Sequence, residues 1–515
     1  MERGRGMCVH RFCTGVICAI VFALLAGLVI AGFAVDVRLR APEVISYTIG
    51  LQPGTLAGMF AMLAVMCALS ALFRRAGIRL TAGVLFLWMG LTIFFLWAAG
   101  TRQMVDFAYV CDGATRFAQG DYSPLLEDYF NVYSYQLGTC LMLEGVARLL
   151  PGVHIGVVMQ YVNAALSAGT VIVLAALCGV LCGERRGAYA ASALAVTGLC
   201  IPLYCIHVYG TIPMIFLCAC AFLSFALCVR GRGIAWGILC ALCMALAYMV
   251  KPNAAVAVLA LLICGALHAL STGDMHPLAC VAMGAVLGVA LAGFAVWQYE
   301  WRGGVQLRED ISALARLVMG LQDGPRGAGW YSGYTEQFFS AGVSARQQRQ
   351  TAMADLTARL EQMGEDPLRT GIFFVQKALS QWLEPTYGTL LYGNACEQHG
   401  LFAQAAQAVF SEQSPLRMAL EGIMKSWQQA LYALSVAGMW RTGRRNRSKP
   451  DAAALVLPVT VWGGFLYHMI FEAKSQYIYT YALYLLPLAA QGLCALEDAV
   501  CALSRRVKRA EAARA

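Results

Sequence analysis

Residues 233–270 read GIAWGILCALCMALAYMVKPNAAVAVLALLICGALHAL. Two apolar runs flank the turn Lys251-Pro252-Asn253, and each run approaches the ~20 residues that a helix needs to cross a bilayer. A proline between two such runs interrupts the helix, because it cannot continue the hydrogen-bond ladder. The stretch therefore predicts two membrane-spanning helices that are joined by a short turn.

The composition of the whole chain agrees with that of this stretch. Of 515 residues, 59% are hydrophobic and 13% are charged, whereas soluble domains have ~25% charged residues. This apolar content excludes a soluble globular protein and a disordered one, and the short alternating segments typical of a membrane β-barrel are missing. We expect an all-α polytopic membrane protein.

Twelve apolar runs are candidate spans. The Lys and Arg residues cluster at both ends of the chain and after runs two, four, six and ten, so all clusters share one side if both termini are cytoplasmic. Segment 134–150 would reverse every later loop if it crossed, so we expect a surface helix there, with Glu144 and Arg148 at i,i+4. The twelve runs lie near 12–34, 55–73, 81–99, 153–182, 187–205, 210–229, 233–250, 253–270, 277–297, 424–440, 452–470 and 475–496.

These runs divide the chain into four predicted regions. The loop at 298–423 is so long that it is expected to be functional or folded, with a helical stretch at 344–363 and glycine-rich turns near 323–333. The regions are two N-terminal helices (1–80), a transmembrane core with a first outer loop at 100–152 (81–297), the large outer loop (298–423), and C-terminal helices with a basic cytoplasmic tail (424–515).

Charge and cysteine content point to the membrane as well. The net charge of +9 is placed beside apolar runs, so we expect no nucleic-acid partner. Most of the 20 cysteines lie inside apolar runs, where a thiol behaves as a small hydrophobic group. No cysteine pairs recur with the spacing of zinc ligands, so no zinc site is expected.

The first outer loop supplies the clearest chemical candidate. It reads DFAYVCDGATRFAQGDY at 106–122 and follows run three directly. A carboxylate at this edge of the membrane can accept a proton from a nucleophile or donate oxygen ligands to a divalent cation. On spacing alone, a solvated interfacial acid is the alternative. Asp106 is the first choice and Asp112 the second.

This loop resembles the first outer loop of GT-C membrane glycosyltransferases. The resemblance is to the protein O-mannosyltransferase and aminoarabinose-transferase branch, which is family 39-like and includes Gram-positive bacterial members. In that family an Asp just after a transmembrane helix is the catalytic base, and an Ala, a Gly and an aromatic residue follow it, as Ala114, Gly120 and Tyr122 do here. The resemblance implies that Asp106 is the base.

The next two segments extend the resemblance. The run YFNVYSYQLG at 129–138 looks like the family's aromatic stretch before a surface helix, although it lacks the proline, and it makes Tyr133 a substrate-binding candidate. Many members carry a further acid in the following short outer loop, but IHVYGTIP at 206–213 has none. His207 or Tyr209 can substitute, or both belong to an interfacial aromatic belt. No cofactor is implied with certainty, and a divalent cation stays open.

Three lysines are candidates for binding the donor phosphate. Lys251 is either an anion-binding charge or a snorkelling turn residue, and the family often has Lys-Pro at this turn. Lys377 lies in FFVQKALSQWLEP at 373–385, which predicts a helix ending at the proline and is similar to Gram-positive members. Lys474 supplies a cation in EAKSQY at 472–477.

The last of these runs resembles the family's Glu-x-x-x-Arg-Tyr pattern, with Gln476 in place of the arginine. The resemblance makes Glu472 and Tyr477 substrate-binding candidates, and a purely structural Glu472–Lys474 site is the alternative. In the large loop, MGLQDGPRGAGWYSGY at 319–334 offers Trp330 and Tyr331 for stacking on a sugar. An aromatic interfacial loop is the alternative, and the pattern is not that of a P-loop.

The leading expectation is a glycosyltransferase of the bacterial plasma membrane with both termini cytoplasmic. It would move a sugar from a polyprenyl-phosphate donor to an extracytoplasmic acceptor, which is a cell-envelope glycan, a lipid or a protein. A polysaccharide or lipid transporter is an alternative that should show broken helices in two related halves. An O-antigen-type polymerase or ligase is another, and it would rely on loop arginines, for which the candidates are Arg302, Arg308, Arg316 and Arg326.

Overall fold

The computed structural model describes residues 2–307, 311–339, 343–393, 402–448 and 450–512. The predicted candidates Arg308 and Lys449 therefore lie outside the described residues. The first twelve α-helices are α1 (Glu2–Ala34), α2 (Pro53–Ala99), α3 (Val105–Ala118), α4 (Asp128–Val132), α5 (Leu137–Leu149), α6 (Ile155–Cys182), α7 (Arg185–Val196), α8 (Cys200–Tyr204), α9 (Thr211–Cys228), α10 (Ile234–Val250), α11 (Ala255–Thr272) and α12 (His276–Gly303).

The second half of the chain continues the helical architecture. Its helices are α13 (Ala313–Gly320), α14 (Ala345–Glu365), α15 (Pro367–Trp382), α16 (Thr389–Tyr392), α17 (Ala403–Phe410), α18 (Pro415–Ser448), α19 (Val456–Ile470), α20 (Ser475–Tyr484) and α21 (Leu486–Ala512). Short 3₁₀ turns and two small hairpins connect them, and the strands are β1 (Val35–Arg40), β2 (Val44–Ile49), β3 (Asp323–Gly324) and β4 (Gly327–Ala328).

Eight described helical segments are long and apolar enough to cross a membrane, by length and composition. The chain is an all-α polytopic membrane protein. One of the eight, Pro53–Ala99, contains two predicted runs, and the predicted run 475–496 is divided between α20 and α21. The remaining three predicted runs fall in the broken pair α7 and α8, in the shorter α10 and inside α18. The number twelve therefore stays a prediction. The eight are Gly6–Ala34, Pro53–Ala99, Ile155–Cys182, Thr211–Cys228, Pro252–Thr272, His276–Gly303, Ala452–Ile470 and Leu486–Val507.

Helix α2 contains two of the predicted runs. A straight helix of its 47 residues would be ~70 Å long, more than twice the ~30 Å hydrocarbon core. The break is at Gly77, where φ is 79° and ψ is −169°, a conformation open to glycine because it has no Cβ. The two arms on either side correspond to the predicted runs 55–73 and 81–99.

The predicted basic clusters meet at one end of the helices. Arg74 Nη1 and Arg186 Nη2 contact Glu497 at 2.7 and 2.8 Å, and Arg445 Nη1 donates to the Leu181 carbonyl at 2.8 Å. We call the region around these residues the basic end. The positive-inside pattern predicts this co-location, because all clusters must share one side.

The predicted surface helix is α5, which packs against α3 and α12. The predicted Glu144–Arg148 contact is present at 2.7 Å. Glu144 is 2% exposed, however, and it accepts hydrogen bonds from Arg302 Nη2 at 2.5 Å and from the Tyr299 hydroxyl at 2.6 Å. A carboxylate this deeply buried needs such partners, so this face of α5 is fixed to α12.

The described part of the predicted large outer loop is folded, as its length suggested. Helix α14 matches the predicted helical stretch 344–363, and Ser344 caps it in a reciprocal capping box with Gln347. Helix α15 ends before Pro385, again as predicted. The glycine-rich turn predicted near 323–333 forms the β3–β4 hairpin.

The β1–β2 hairpin was not expected from the sequence. Its strands pair antiparallel, with Val35 opposite Ile49 and Arg40 opposite Val44. The Ile45 N–H donates to the Arg326 carbonyl at 2.9 Å. The link between the first two spans is therefore an ordered element that reaches the large loop.

Glu144→Gln is expected to lower the free energy of unfolding by ~3 kcal/mol, because loss of one partner leaves the Arg302 charge uncompensated. Glu127→Gln is the matched control, since Glu127 is 52% exposed in its contact with Arg116 and exposed pairs contribute ~0–1 kcal/mol. Denaturant unfolding in detergent measures both. Equal losses would contradict the packed arrangement of α5.

Candidate active site

Asp106 lies in the first turn of α3, so the predicted outer loop is helical where it carries the acid. The free amides at a helix N-terminus favour a negative charge at this position. The preceding residue, Val105, has φ 42°, a left-handed conformation that β-branched residues avoid. The surrounding structure holds this strain, which costs ~1–3 kcal/mol.

Tyr209 connects Asp106 to Lys251. The Tyr209 hydroxyl donates to Asp106 Oδ2 at 3.5 Å and accepts from the Gln136 amide. Lys251 Nζ donates to the Tyr209 carbonyl at 2.9 Å and lies 3.7 Å from the centroid of the Tyr209 ring, a cation–π contact. The start of α3, the short loop at 206–213 and the Lys-Pro turn therefore meet at one tyrosine.

Lys474 acts on Asp106 from the segment between α19 and α20. We call the region around Asp106, Tyr209, Lys251 and Lys474 the cleft. Its Nζ contacts Glu43 Oε1 at 2.7 Å and lies 5.1 Å from the centroid of the Tyr392 ring. Glu43 is 7% exposed, and it also contacts Arg326 and accepts a hydrogen bond from the Tyr392 hydroxyl. Lys474 thus pairs with a carboxylate of the β1–β2 hairpin.

The two acids nearest the cleft have raised pKa values. The side chain of Asp106 keeps access to solvent, but the protein atoms packed around it displace part of its hydration. This desolvation raises the pKa of Asp106, although the charges of Lys474 and Lys251 act to lower it. Burial also raises the pKa of Glu472, to about 7, against the opposing charge of Lys474. A carboxylate with a raised pKa is a better proton acceptor, so this environment suits a general base.

The pKa of the Lys251 ammonium is also shifted. The residue is 7% exposed, and burial lowers its pKa to about 7, although Asp106 acts to raise it. An anion beside Lys251 would favour the charged form. The site therefore holds a cation whose charge responds to what binds there.

Two sequence candidates lie below the cleft. Lys377 is 0% exposed, and its Nζ donates to the carbonyls of Phe471, at 2.7 Å, and Gly320. Trp330 is 1% exposed, and its Nε1–H donates to Ser380 at 2.9 Å. Lys377 is therefore bound to the backbone at Phe471, the residue before Glu472, and Trp330 is buried against α15.

Asp112 points away from the cleft. Its side chain is 68% exposed and lies 3.7 Å from Arg116 Nη1 on the outer face of α3. The structure therefore separates the two acids that the sequence offered as candidates: it places Asp106 beside Lys251 and Lys474 and leaves Asp112 in solvent.

The aromatic candidates occupy different positions. His207 is 2% exposed and packs on Phe107, with ring centroids 5.1 Å apart. The Tyr133 ring packs on Tyr129 at 5.2 Å, and the Tyr477 ring stacks on His468 at 5.2 Å. The Tyr331 hydroxyl donates to Glu336 at 2.8 Å.

The loop arginines are engaged with protein groups. Arg302 contacts Glu144, Arg326 contacts Glu43, and the Arg316 guanidinium lies 4.8 Å from the centroid of the Tyr135 ring. The described residues contain no group of three His, Cys, Asp or Glu side chains that could hold a metal ion.

Sequence reasoning missed Glu43, Tyr392 and Gln136. The signal for Glu43 was present, because VDVRLR and VISYTI alternate in polarity around the turn Ala41-Pro42-Glu43. Alternation of this kind on both sides of a proline turn is typical of a hairpin. Nothing local distinguishes Tyr392 from the other aromatic residues of the chain.

A small cavity of about 20 Å³ lies beside Lys251, among helices α9, α11, α19 and α20. Polar side chains stand at its mouth, and apolar and aromatic ones lie further along the helices. The mouth is formed by Tyr209, Lys251, Asn253, Gln476 and Tyr477, and the deeper wall includes Met214, Cys218, Val256, Ala257, Thr480 and Tyr484.

Glu43→Gln is expected to destabilise the fold most at neutral pH. Burial opposes the charge of Glu43, but Lys474, Tyr392 and Arg326 outweigh it and lower its pKa below the ordinary 4.5. A carboxyl with a lowered folded-state pKa stabilises the fold above the unfolded-state value, and this contribution is lost as the pH falls through the folded-state pKa.

The difference in thermal unfolding midpoint between wild type and Glu43→Gln should therefore be largest at pH 7 and shrink below pH ~4.5. Asp323→Asn is the control, because Asp323 is 48% exposed in its contact with Arg359. A difference that does not change with pH would show that Glu43 does not bear the charge in the folded chain.

The comparisons with known proteins find a distant likeness only among solved structures. No family model matches the chain, and no curated protein matches it. A similar solved structure is the archaeal oligosaccharyltransferase AglB from Archaeoglobus fulgidus, in complex with an inhibitory peptide and a dolichol-phosphate, at a TM-score of 0.43 and 13% identity. The alignment covers 85% of this chain and 52% of that one, so the chain spans about half the length of AglB.

Proposed function

We propose that the chain is a GT-C-type glycosyltransferase of the bacterial plasma membrane, with both termini cytoplasmic. It transfers a sugar from a polyprenyl-phosphate donor to an extracytoplasmic acceptor. The observation that carries the proposal is the placement of Asp106 and Lys251 on either side of Tyr209, where Tyr209 and Lys251 also line a small cavity among the helices.

The donor phosphate would lie beside Lys251, which lines the cavity together with Met214 and Cys218 of α9 and Val256 and Ala257 of α11. The sugar would extend toward Asp106. The cavity of about 20 Å³ is close to the space that a single water needs, so these helices would have to separate for the lipid tail to enter. A buried ammonium without a carboxylate contact is costly, and the donor phosphate would remove that cost.

The transfer needs one base and one leaving group. Asp106 accepts the proton of the acceptor hydroxyl, whose oxygen attacks the anomeric carbon of the sugar. The bond from that carbon to the phosphate oxygen breaks, and polyprenyl phosphate leaves with the electron pair, held by Lys251. A single displacement of this kind inverts the anomeric centre, as the chemistry of the resembled family implies.

The other lysine of the cleft has a different role. Burial opposes the charge of Lys474, but Tyr392, Glu43 and Glu472 outweigh it and raise its pKa. Lys474 therefore stays charged near Asp106 while Glu43 holds it. It supplies positive potential to the cleft, whereas Lys251 contacts the donor.

The alternative of a polymerase or ligase lacks comparable support. It depends on loop arginines, and two of the candidates, Arg302 and Arg326, contact the buried carboxylates Glu144 and Glu43. A transporter would need charges at mid-membrane, whereas the charged cleft lies where helices end.

Asp106→Asn is expected to reduce turnover by ~10²–10⁴-fold, because the general base is removed while the shape is kept. The assay measures release of polyprenyl phosphate from a polyprenyl-phosphate sugar when an acceptor is supplied. Asp112→Asn is the matched control on the same helix and should keep near-normal turnover. Loss in the control and not in Asp106→Asn would refute the assignment.

Lys251→Gln is expected to raise the apparent KM for the donor far more than Lys251→Arg, because arginine keeps the positive charge.

In the wild type, Lys251 loses its charge as the pH rises through about 7, so donor binding should weaken from pH 6 to pH 8. Arginine does not titrate there, so Lys251→Arg should lose this pH dependence. A similar pH profile in both proteins would indicate that Lys251 does not bind the donor and is only a turn residue.

A further inference from the structure

A second polar cavity lies at the basic end, where α6, α7, α18 and α21 meet. Its wall carries four arginines and one carboxylate, together with an indole and two thiols. The lining residues are Cys182, Glu184, Arg186, Gly187, Trp440, Arg441, Arg444, Arg445, Gln491 and Cys494. None of them belongs to the cleft around Asp106.

The positive charge of this pocket is incompletely balanced. Arg186 contacts Glu497 at 2.8 Å and Asp498 at 2.5 Å, and Arg441 lies 3.8 Å from Asp498. Arg74 also uses Glu497. Three guanidinium groups, on Arg74, Arg186 and Arg441, thus share two carboxylates, on Glu497 and Asp498, and Arg444 adds a further positive charge.

The arginines of α18 are held at close quarters. Arg441, Arg444 and Arg445 are spaced i, i+3 and i+4 on one helix, so like charges face each other and repel. Arg445 donates to the Leu181 carbonyl at 2.8 Å and Arg441 to the Gln491 carbonyl at 3.3 Å. These backbone contacts fix the positions of the Arg441 and Arg445 guanidinium groups in the pocket wall.

Arg444 has the most available guanidinium. Among the described residues it forms no salt bridge, and its guanidinium carbon lies 5.9 Å from the centroid of the Trp440 ring. A guanidinium carries five N–H donors in a planar fork that matches two phosphate oxygens. The pocket therefore presents donors and charge suited to a phosphate.

The indole of the pocket wall is exposed. Trp440 is 60% exposed, and indole rings favour the boundary between membrane and water. A ligand that binds beside Trp440 is therefore close to the acyl chains of a surrounding membrane.

We propose that this pocket binds the phosphate headgroup of an anionic phospholipid, with Arg444 as the principal contact and Arg441 beside it. The exposed indole of Trp440 favours a lipid over free phosphate, because a ring at the boundary between membrane and water lies beside the acyl chains. The site is distinct from the proposed transfer site and does not depend on the reaction assigned to Asp106.

The test measures the thermal unfolding midpoint of the full chain in neutral detergent, with and without phosphatidylglycerol. This lipid should raise the midpoint of the wild type, since a ligand that binds only the folded state stabilises it. Phosphatidylcholine and inorganic phosphate at the same concentrations should have much smaller effects. An equal effect of inorganic phosphate would identify a free-phosphate site and overturn the proposal.

Substitutions at Arg444 test whether this residue contacts the lipid headgroup. Arg444→Gln should raise the phosphatidylglycerol concentration needed for half the effect by about tenfold, as expected for loss of one charge-assisted contact, and Arg444→Lys should restore part of it. Arg506→Gln is the control, because Arg506 is an exposed arginine of α21 that does not line the pocket. Equal effects of Arg444→Gln and Arg506→Gln would show non-specific attraction and overturn the proposal.

Discussion

The contact between Glu43 and Lys474 joins four parts of the chain that are distant in sequence. Glu43 comes from the β1–β2 hairpin, Lys474 from the segment before α20, Arg326 from the large outer loop and Tyr392 from α16. If one of these four groups were removed, a charge or a hydroxyl on another would remain buried without its partner. The outer loops are therefore fixed to one another above the membrane helices, and the positions of Lys474 and Glu472 beside Asp106 follow from this arrangement.

The membrane architecture could be predicted from the sequence because the bilayer imposes local rules. A span needs a long apolar run, and that requirement is visible without knowledge of any partner. The same applies to the turn at Lys251-Pro252 and to the cap of α14 at Ser344, since both depend on adjacent residues. The basic clusters could also be assigned to one end, because the rule that governs them concerns position along the chain.

The site could be predicted only in part, because the roles of its side chains depend on tertiary partners. Lys251, Lys377 and Lys474 look alike in sequence, yet one contacts a tyrosine ring and carbonyl, one donates to two backbone carbonyls, and one pairs with a carboxylate. Trp330 was expected to stack on a sugar and instead packs in the interior. Loop composition indicates neither which aromatic ring stays accessible nor which distant strand will supply a carboxylate.

The strained backbone at Val105 has a consequence for how this protein would fail. A β-branched residue at φ 42° relaxes toward an extended conformation as soon as the groups around it loosen, and Asp106 is the next residue. The carboxylate is thus held in place only while Tyr209 and its neighbours are well packed. Slight damage to this packing, by heat or by a distant substitution, would misalign the acid long before the helices separate. On the proposed function, the chain would lose activity while it was still folded, and turnover would report the packing around Asp106 and Tyr209 more sensitively than any measure of helix content.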